Sequence, residues 1–515
     1  MITPYTGTWG NAQALHLLRR TVLGFTKANL TYFATKTLAQ SLAELLTISP
    51  APAPPLNHYG TTDVDVPLGS TWINAPRNNT FEGQRRQSLR YWWVEQQLAP
   101  ATNITERMIL FWHNHLPVDS GFIDTDPRRG YTYYLLLRNN ALGNFKSLVQ
   151  NMSIEPAMLT YLDGRNNTKT APNENYAREL QELFVIGKDL PNAYTEADVQ
   201  AAARVLTGWK VNSANSTSYF DNTQHDTTNK VFSAFYNNTT IAGRSGANAG
   251  ADELNDLISM LFGTTEVAKF IVRKLYRYFV YYKIDANTEN TIINPLADLF
   301  RSSNYEILPV LQALLGSQHF FDTMQKGCVI KNPIEYVVGC IKAFEVPLLN
   351  ANVQTQYASL GSVMNRQNEQ LMAAGAPPNV AGWSAYYQAP SYHEIWINAD
   401  TLRKRKELID RLFSNGFGGV KADTLAFTNK LPNPQDPNLL IDDVLELLHN
   451  LPADAALKTA LKNILLSGQA TDYYWTSAWN NYATSPTNTT YANIVRTRLI
   501  SFYTAVLNIA EAHLL

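Results

Sequence analysis

A chain of 515 residues exceeds the usual domain length several-fold, so it must form one large multi-lobed core or about two to four domains. With 45% hydrophobic and 17% charged residues it has the composition of a globular chain, which excludes general disorder. Lys and Arg (42) balance Asp and Glu (43), which removes the electrostatic footprint of a general nucleic-acid or anionic-membrane binder.

The start of the chain has no basic segment followed by an apolar one, so no signal peptide is evident. No stretch reaches the roughly 18 uncharged apolar residues of a spanning helix, and a soluble molecule without a transmembrane span is expected. Residues 11 to 48 read as paired amphipathic helices with a break near Gly24. Pro50, Pro52, Pro54 and Pro55 open an irregular stretch to Pro76, expected to cover the core like a strap. From Gln84 to Leu116 the spacing of Leu89, Trp92, Trp93, Ile104, Met108 and Phe111 predicts two helices joined near Pro100. Helical patterns follow at 128–150 and 173–187, and Thr195 caps a further helix with Glu196 and Asp198 in its first turn. Between Val211 and Gly250 helical period is absent, and Tyr219, Val231 and Phe235 are expected in short strands or ordered loop.

Helices resume at 251–262, 265–282, 289–302, 305–316 and 333–346. The second of these turns Val267, Phe270, Ile271, Leu275 and Phe279 inward. Cys328 and Cys340, twelve apart in a segment that reads as helix, form neither a zinc knuckle nor a disulfide framework and are expected as buried thiols. Segment 374–400 is a Pro/Gly/aromatic insertion, and 400–515 alternates helical runs with turns, the last helix (Ile494 to Leu507) being apolar enough to dock on the body. The expected fold is mainly α, large and multi-helical, with long irregular Pro- and Asn-rich insertions and at most a small β-hairpin region. Residues 1–405 are expected as its core, with lobes at 1–210 and 250–405 around an irregular insertion at 211–249. Residues 406–515 are expected as a C-terminal helical extension packed on that core.

Several ordered signatures stand out. They are His16-Leu17-Leu18-Arg19-Arg20 with Gly24, Phe111-Trp112-His113-Asn114-His115, and Pro172-Asn173-Glu174-Asn175-Tyr176-Ala177-Arg178-Glu179-Leu180 with Glu182-Leu183-Phe184. Further on come Leu206-Thr207-Gly208-Trp209, His225-Asp226, Arg273-Lys274-Leu275, Pro377-Pro378-Asn379-Val380-Ala381-Gly382-Trp383 and Trp396-Ile397-Asn398. In this order they resemble the bacterial proteins grouped as domain of unknown function 1800, over roughly Tyr5 to Arg405. The resemblance implies no established activity or cofactor; it implies an extracytoplasmic setting, since many relatives look exported and lie beside a sulfatase-like family. The segment after Arg405 reads as an addition to that pattern.

His113 and His115 are the first chemical candidates, because His-x-His is a zinc or iron ligand spacing. Two imidazoles one residue apart project together only from extended backbone, whereas on a helix they diverge by about 200°. Pro117 disfavours helix at Leu116, so the helix is expected to end here and free the pair to chelate. The alternative is that one histidine caps the helix and the other is bonded in the core. On the next motif Asn175, Glu179 and Glu182 share one helical face, with Glu174 and Arg178 an i,i+4 ion pair. His225 beside Asp226 offers a further ligand with an orienting carboxylate. Arg165 is a candidate anion contact, and Trp383 with Trp396 either stack on a sugar ring or plug the core.

Two functions fit these residues. One is a metal-assisted hydrolase in which His113, His115, His225 and one of Glu179 or Glu182 supply zinc or iron ligands, the remaining glutamate acts as general base, and Arg178 stabilises developing charge. The other is a non-catalytic surface protein that binds a polysaccharide or a cell-surface partner through Tyr/Trp-rich loops, its polar motifs being buried scaffolding. Templates for serine-elbow hydrolysis, phosphate loops, His-Glu-x-x-His zinc sites and dinucleotide binding are absent from the sequence.

Overall fold

Three short helices open the chain, Asn11–Thr21, Lys27–Ala34 and Leu38–Leu45, the last two started by capping boxes at Thr26 and Thr37. The computed structural model describes residues 2–119, 126–188, 190, 193–348, 352–383, 393–449 and 451–515. The break expected near Gly24 has a packing cause. Its φ is +78°, and a Cβ there would approach the Gly339 Cα of the Pro333–Ala343 helix to 2.8 Å, so only glycine admits that contact.

The Pro-rich stretch straps the Glu82–Leu98 helix. Trp92 Nε1 donates to the Ala53 carbonyl (2.7 Å), and Ser88 Oγ donates to Leu56 O (2.7 Å) while accepting from Trp72 Nε1 (2.9 Å). The next helix, Thr105–His115, packs against Pro127–Asn139. Segment 173–187 begins as an α-helix, Asn175–Glu179, and widens into a π-helix, Leu180–Val185. Thr195 then caps Glu196–Val205 in a reciprocal box with Asp198, as its position predicts.

The region without helical period forms two small antiparallel hairpins, Trp209–Asn212 with Thr217–Phe220 and Lys230–Val231 with Thr240–Ile241. Tyr219 and Val231 lie in these strands, whereas Phe235 sits in a 3-10 turn, Ala234–Tyr236. After them run Ala249–Phe262, Glu266–Phe279, Asn294–Ser302, Ile307–Leu315 and Pro333–Ala343. Cys328 precedes this last helix and is only half-buried, unlike Cys340, so the expected helix over both and the burial of both are corrected. Their thiols are free.

One helix has no counterpart in the sequence pattern. Val353–Asn368 is rich in Gln, Asn and Ser and lies along the Glu82–Leu98 helix, where the buried Gln367 donates to Gln97 Oε1 (2.9 Å). Of the insertion expected over 374–400, residues 384–392 lie outside the described residues. The C-terminal helices close on Thr489–Leu507, which buries Val495, Leu499, Phe502 and Val506. They reach the first two helices, since Arg19 donates to Leu447 O (2.9 Å) and Lys27 pairs with Glu446 (2.8 Å). A contiguous apolar cluster runs from Ala14 to Ala512.

Candidate functional site

Met108, Phe111 and Trp112 seat the Thr105–His115 helix in the core. It ends where Leu116 leaves helical geometry (φ −120°, ψ 58°) ahead of Pro117, which has no N–H to donate. Its last three residues each grip a different segment. Tyr133 donates its hydroxyl to Leu116 O (2.8 Å), so the 2.9 Å contact with His113 is a bond from His113 Nδ1–H to the tyrosine oxygen. His113 Nε2 in turn accepts the Gly375 N–H (3.1 Å). Asn114 Oδ1 accepts the Trp383 N–H (2.9 Å), and Gly382, at φ +85°, lies so close that any side chain there would collide with Asn114.

His115 joins two further elements. The π-helix Leu180–Val185 leaves its terminal carbonyls without helical donors, and His115 Nε2–H caps Phe184 O (2.9 Å). That bond places the lone pair on Nδ1, which accepts from Lys274 Nζ (2.9 Å). Burial pushes the His113 imidazole down to about 3, and burial together with nearby Lys274 holds His115 well below the ordinary histidine range. Both rings are neutral at physiological pH.

The His-x-His pair is therefore helical, and all four of its ring nitrogens have protein partners. His225 belongs to a separate sealed network. Its Nδ1 bonds Thr207 O (2.9 Å), its Nε2 lies 3.1 Å from Glu253 Oε1, and Glu253 Oε2 lies 2.5 Å from Lys230 Nζ. Burial alone would raise the Glu253 carboxyl, but the bonds from His225 and Lys230 outweigh it and hold it below the usual carboxylate range. The ligand set His113, His115, Glu179 and His225 is not assembled: among the described residues no group of three or more His, Cys, Asp or Glu side chains is placed to hold a metal ion.

Arg178 pairs with Glu174 (3.1 Å), as its spacing predicts, and also with Glu196 (2.5 Å), in a half-exposed cluster. Glu179 is half-buried, its carboxyl raised by burial and by Glu182, which itself lies 3.9 Å from Lys188. The motif thus meets His115 through a backbone carbonyl and not through its carboxylates. Arg165 sits in a 3-10 turn, Gly164–Asn166, where its carbonyl accepts from Lys210 (2.9 Å). Trp383 and Trp396 are 8% and 1% exposed, so neither offers an open face to a sugar ring. Trp383 packs instead on His113, with ring centroids 5.4 Å apart.

Behind His115 lies a cavity of about 370 Å³. The Glu266–Phe279 helix contributes Lys274, Arg277 and Tyr278, and the chain just beyond it contributes Tyr282 and the exposed Lys283. Phe111, Asn114 and His115 face them, with Ile330, Ala381 and His393 completing the wall. Glu335 is the single acidic side chain among the described lining residues. It ion-pairs with the buried Arg107 and accepts the Asn332 N–H (2.9 Å). Besides the Arg107–Glu335 pair, the charged side chains of the described lining are Lys274, Arg277 and Lys283. His393 is 8% exposed, stacks on Tyr282 at 4.3 Å, and has no hydrogen-bond partner on either ring nitrogen.

None of Lys274, Arg277, Lys283, Glu335 and His393 is among the sequence-derived candidates. Lys274 lies in the Arg273-Lys274-Leu275 signature, and Lys274, Arg277 and Tyr278 follow helical spacing beside the apolar stripe. His393 carries no comparable local signal.

Fold and cavity together define a mainly helical protein in which parts of three signatures, Asn114 with His115, Lys274, and Ala381, line one aromatic-walled chamber. The chain belongs to the family described as Protein of unknown function (DUF1800), matching it over residues 16–493. That match continues past Arg405 and takes in most of the segment that reads as an addition to the family pattern. Comparisons with curated proteins and with solved structures found no match. Among the described residues no helix is long and apolar enough to cross a membrane.

Proposed function

We propose that the protein binds a small organic acid in this cavity, its carboxylate held by Arg277, Lys283 and His393 and its apolar part against Tyr278 and Ile330. The observation that carries this reading is His393, an imidazole buried in the cavity lining against Tyr282 with both nitrogens unpartnered. A buried polar group left unmade costs about 1–3 kcal/mol, which an acceptor on a ligand would recover. A volume of about 370 Å³ suits a small molecule. In this reading the Trp112-His113-Asn114-His115 signature is scaffolding that draws the walls together. The metal-assisted hydrolase built on His113, His115 and Glu179 draws no support from this geometry, because those imidazoles are already spent.

Isothermal titration calorimetry with lactate, pyruvate, phenylpyruvate and succinate, each beside its neutral amide, tests the proposal. At least one acid is expected to bind saturably, its amide is not, and binding should weaken with salt. Arg277→Met and His393→Ala are each expected to weaken it about tenfold. Absence of acid binding, or equal affinity in both variants, would overturn the proposal.

A further inference from the structure

We infer that the protein holds a monovalent inorganic anion, chloride, in a second cavity, where Arg19 of the first signature is the buried cation that receives it. This cavity has a volume of about 60 Å³. The Arg107–Glu335 pair lines both it and the larger chamber, but the inference does not rest on the organic-acid reading. Its walls form where the first helix meets the C-terminal helices. Arg19 comes from Asn11–Thr21, Tyr336 and Cys340 from Pro333–Ala343, Leu447 from Pro437–Leu448 and Leu507 from Thr489–Leu507. The His16-Leu17-Leu18-Arg19-Arg20 signature, which does not line the larger chamber, thus supplies the charge of the smaller one.

Arg19 is 5% exposed, and its donors are mostly unmet. Nη2 donates to Leu447 O (2.9 Å), whereas Nε and Nη1 are buried without a hydrogen-bond partner. No carboxylate pairs with it among the described residues, the lining Glu335 being paired with Arg107. Burial, reinforced by Arg20 beside it, pushes the Arg19 guanidinium down to about 9, so it still carries its charge at neutral pH. The other polar groups of the wall cannot balance that charge. Burial pushes the Cys340 thiol up to about 11 and the Tyr336 phenol well above its ordinary range, so both keep their protons. A buried charge is costly unless it is paired and hydrogen-bonded, and an anion in the cavity is the partner these donors call for.

Size and lining narrow the choice of anion. About 60 Å³ admits a few water-sized groups and is too small for the ligands the larger chamber admits. Beyond Arg19 and the Arg107–Glu335 pair, the one further charged side chain of the described lining is Lys331. Its Nζ already donates to Ala512 O (2.8 Å), and burial pushes it down to about 7, so it is only partly charged at neutral pH. Val22, Phe25, Ala343 and Leu448 make the rest of the wall apolar. Such a site suits a single, weakly hydrated negative charge, whereas a phosphate dianion would leave charge and acceptors unmatched. Chloride held here ties the signature helix to the C-terminal helices.

The test uses the full chain. Crystals grown with sodium bromide in place of sodium chloride should show an anomalous bromide peak in this cavity, within hydrogen-bond distance of Arg19 Nε or Nη1. In solution, replacing gluconate by chloride at constant ionic strength should raise Tm by a few degrees and then saturate, as binding to the folded state alone requires. Phosphate at the same ionic strength should give no saturable rise, and Arg19→Met should remove the chloride dependence. The bromide map of the wild-type chain makes the result independent of how that variant folds. Water alone in the cavity at saturating bromide, or bromide at surface positions only, would overturn the inference. So would a Tm that follows ionic strength alone, a rise with phosphate and not chloride, or a chloride dependence that Arg19→Met retains. Binding of organic acids in the larger chamber is decided separately by calorimetry.

Discussion

Two histidine–lysine pairs in this protein illustrate opposite uses of the same side chains. Around His225, the Lys230 ammonium and Glu253 carboxylate are fully buried against each other, and Arg244 N–H completes the carboxylate (2.7 Å). Around His115, the Lys274 ammonium donates to a neutral imidazole at the edge of a cavity, with Arg277 one turn along the same helix. The first arrangement satisfies its charges internally and seals the hairpin region onto the Ala249–Phe262 helix. The second lies at the wall of a space that a ligand can occupy. Closure, more than residue type, separates the sealed structural pair from the pair at a cavity wall.

The comparison is broken most sharply at Glu253. Glu253→Gln removes the countercharge of a fully buried lysine, and the expected loss is about 3–5 kcal/mol, read as a drop in thermal or urea stability. A loss below about 1 kcal/mol would mean that Lys230 is not paired as described.

A smaller and opposite effect is expected at Lys274. Its folded-state value of about 7 lies below the roughly 10.4 of an unfolded lysine, so unfolding takes up a proton between those values. Stability contributed through this group therefore rises with pH across that window. Lys274→Met should flatten the rise by at most about 1.4 kcal/mol per pH unit, leaving the parallel contributions of Lys331 and Lys342. Unchanged slopes in wild type and variant would contradict the account of a desolvated amine.

The smallest change is expected at Arg178. Its pairs with Glu174 and Glu196 are half-exposed, so Arg178→Ala should cost about 0–1 kcal/mol and leave acid binding intact. Loss of binding in that variant would return the functional centre to the Glu179 face.

Local physics made much of this legible in the sequence. Pro117 marks the helix end, Thr195 and Asp198 mark a helix start, and Glu174 with Arg178 form the pair their spacing implies. The junction of the Trp112-His115 segment with the Asn175 helix is also present. Its agent is the Phe184 carbonyl, which has no side-chain signature. The histidine pair misleads because the helix persists through His115, so the rings diverge instead of converging. The cavity was illegible for a different reason. His115 and Lys274 are 159 residues apart, Glu335 and His393 farther still, and only packing of four segments brings them together. The Val353–Asn368 helix escapes notice because it lies on the strapped helix through Gln and Tyr contacts, where an apolar stripe is weak.

A crystal structure of the full chain grown with phenyllactate, a non-reactive 2-hydroxy acid, tests the central claim most directly. The account predicts density in the cavity with the carboxylate within hydrogen-bond distance of Arg277 and His393 and the ring against Tyr278. An empty cavity at saturating ligand, or the acid bound elsewhere with His393 unchanged, would contradict it.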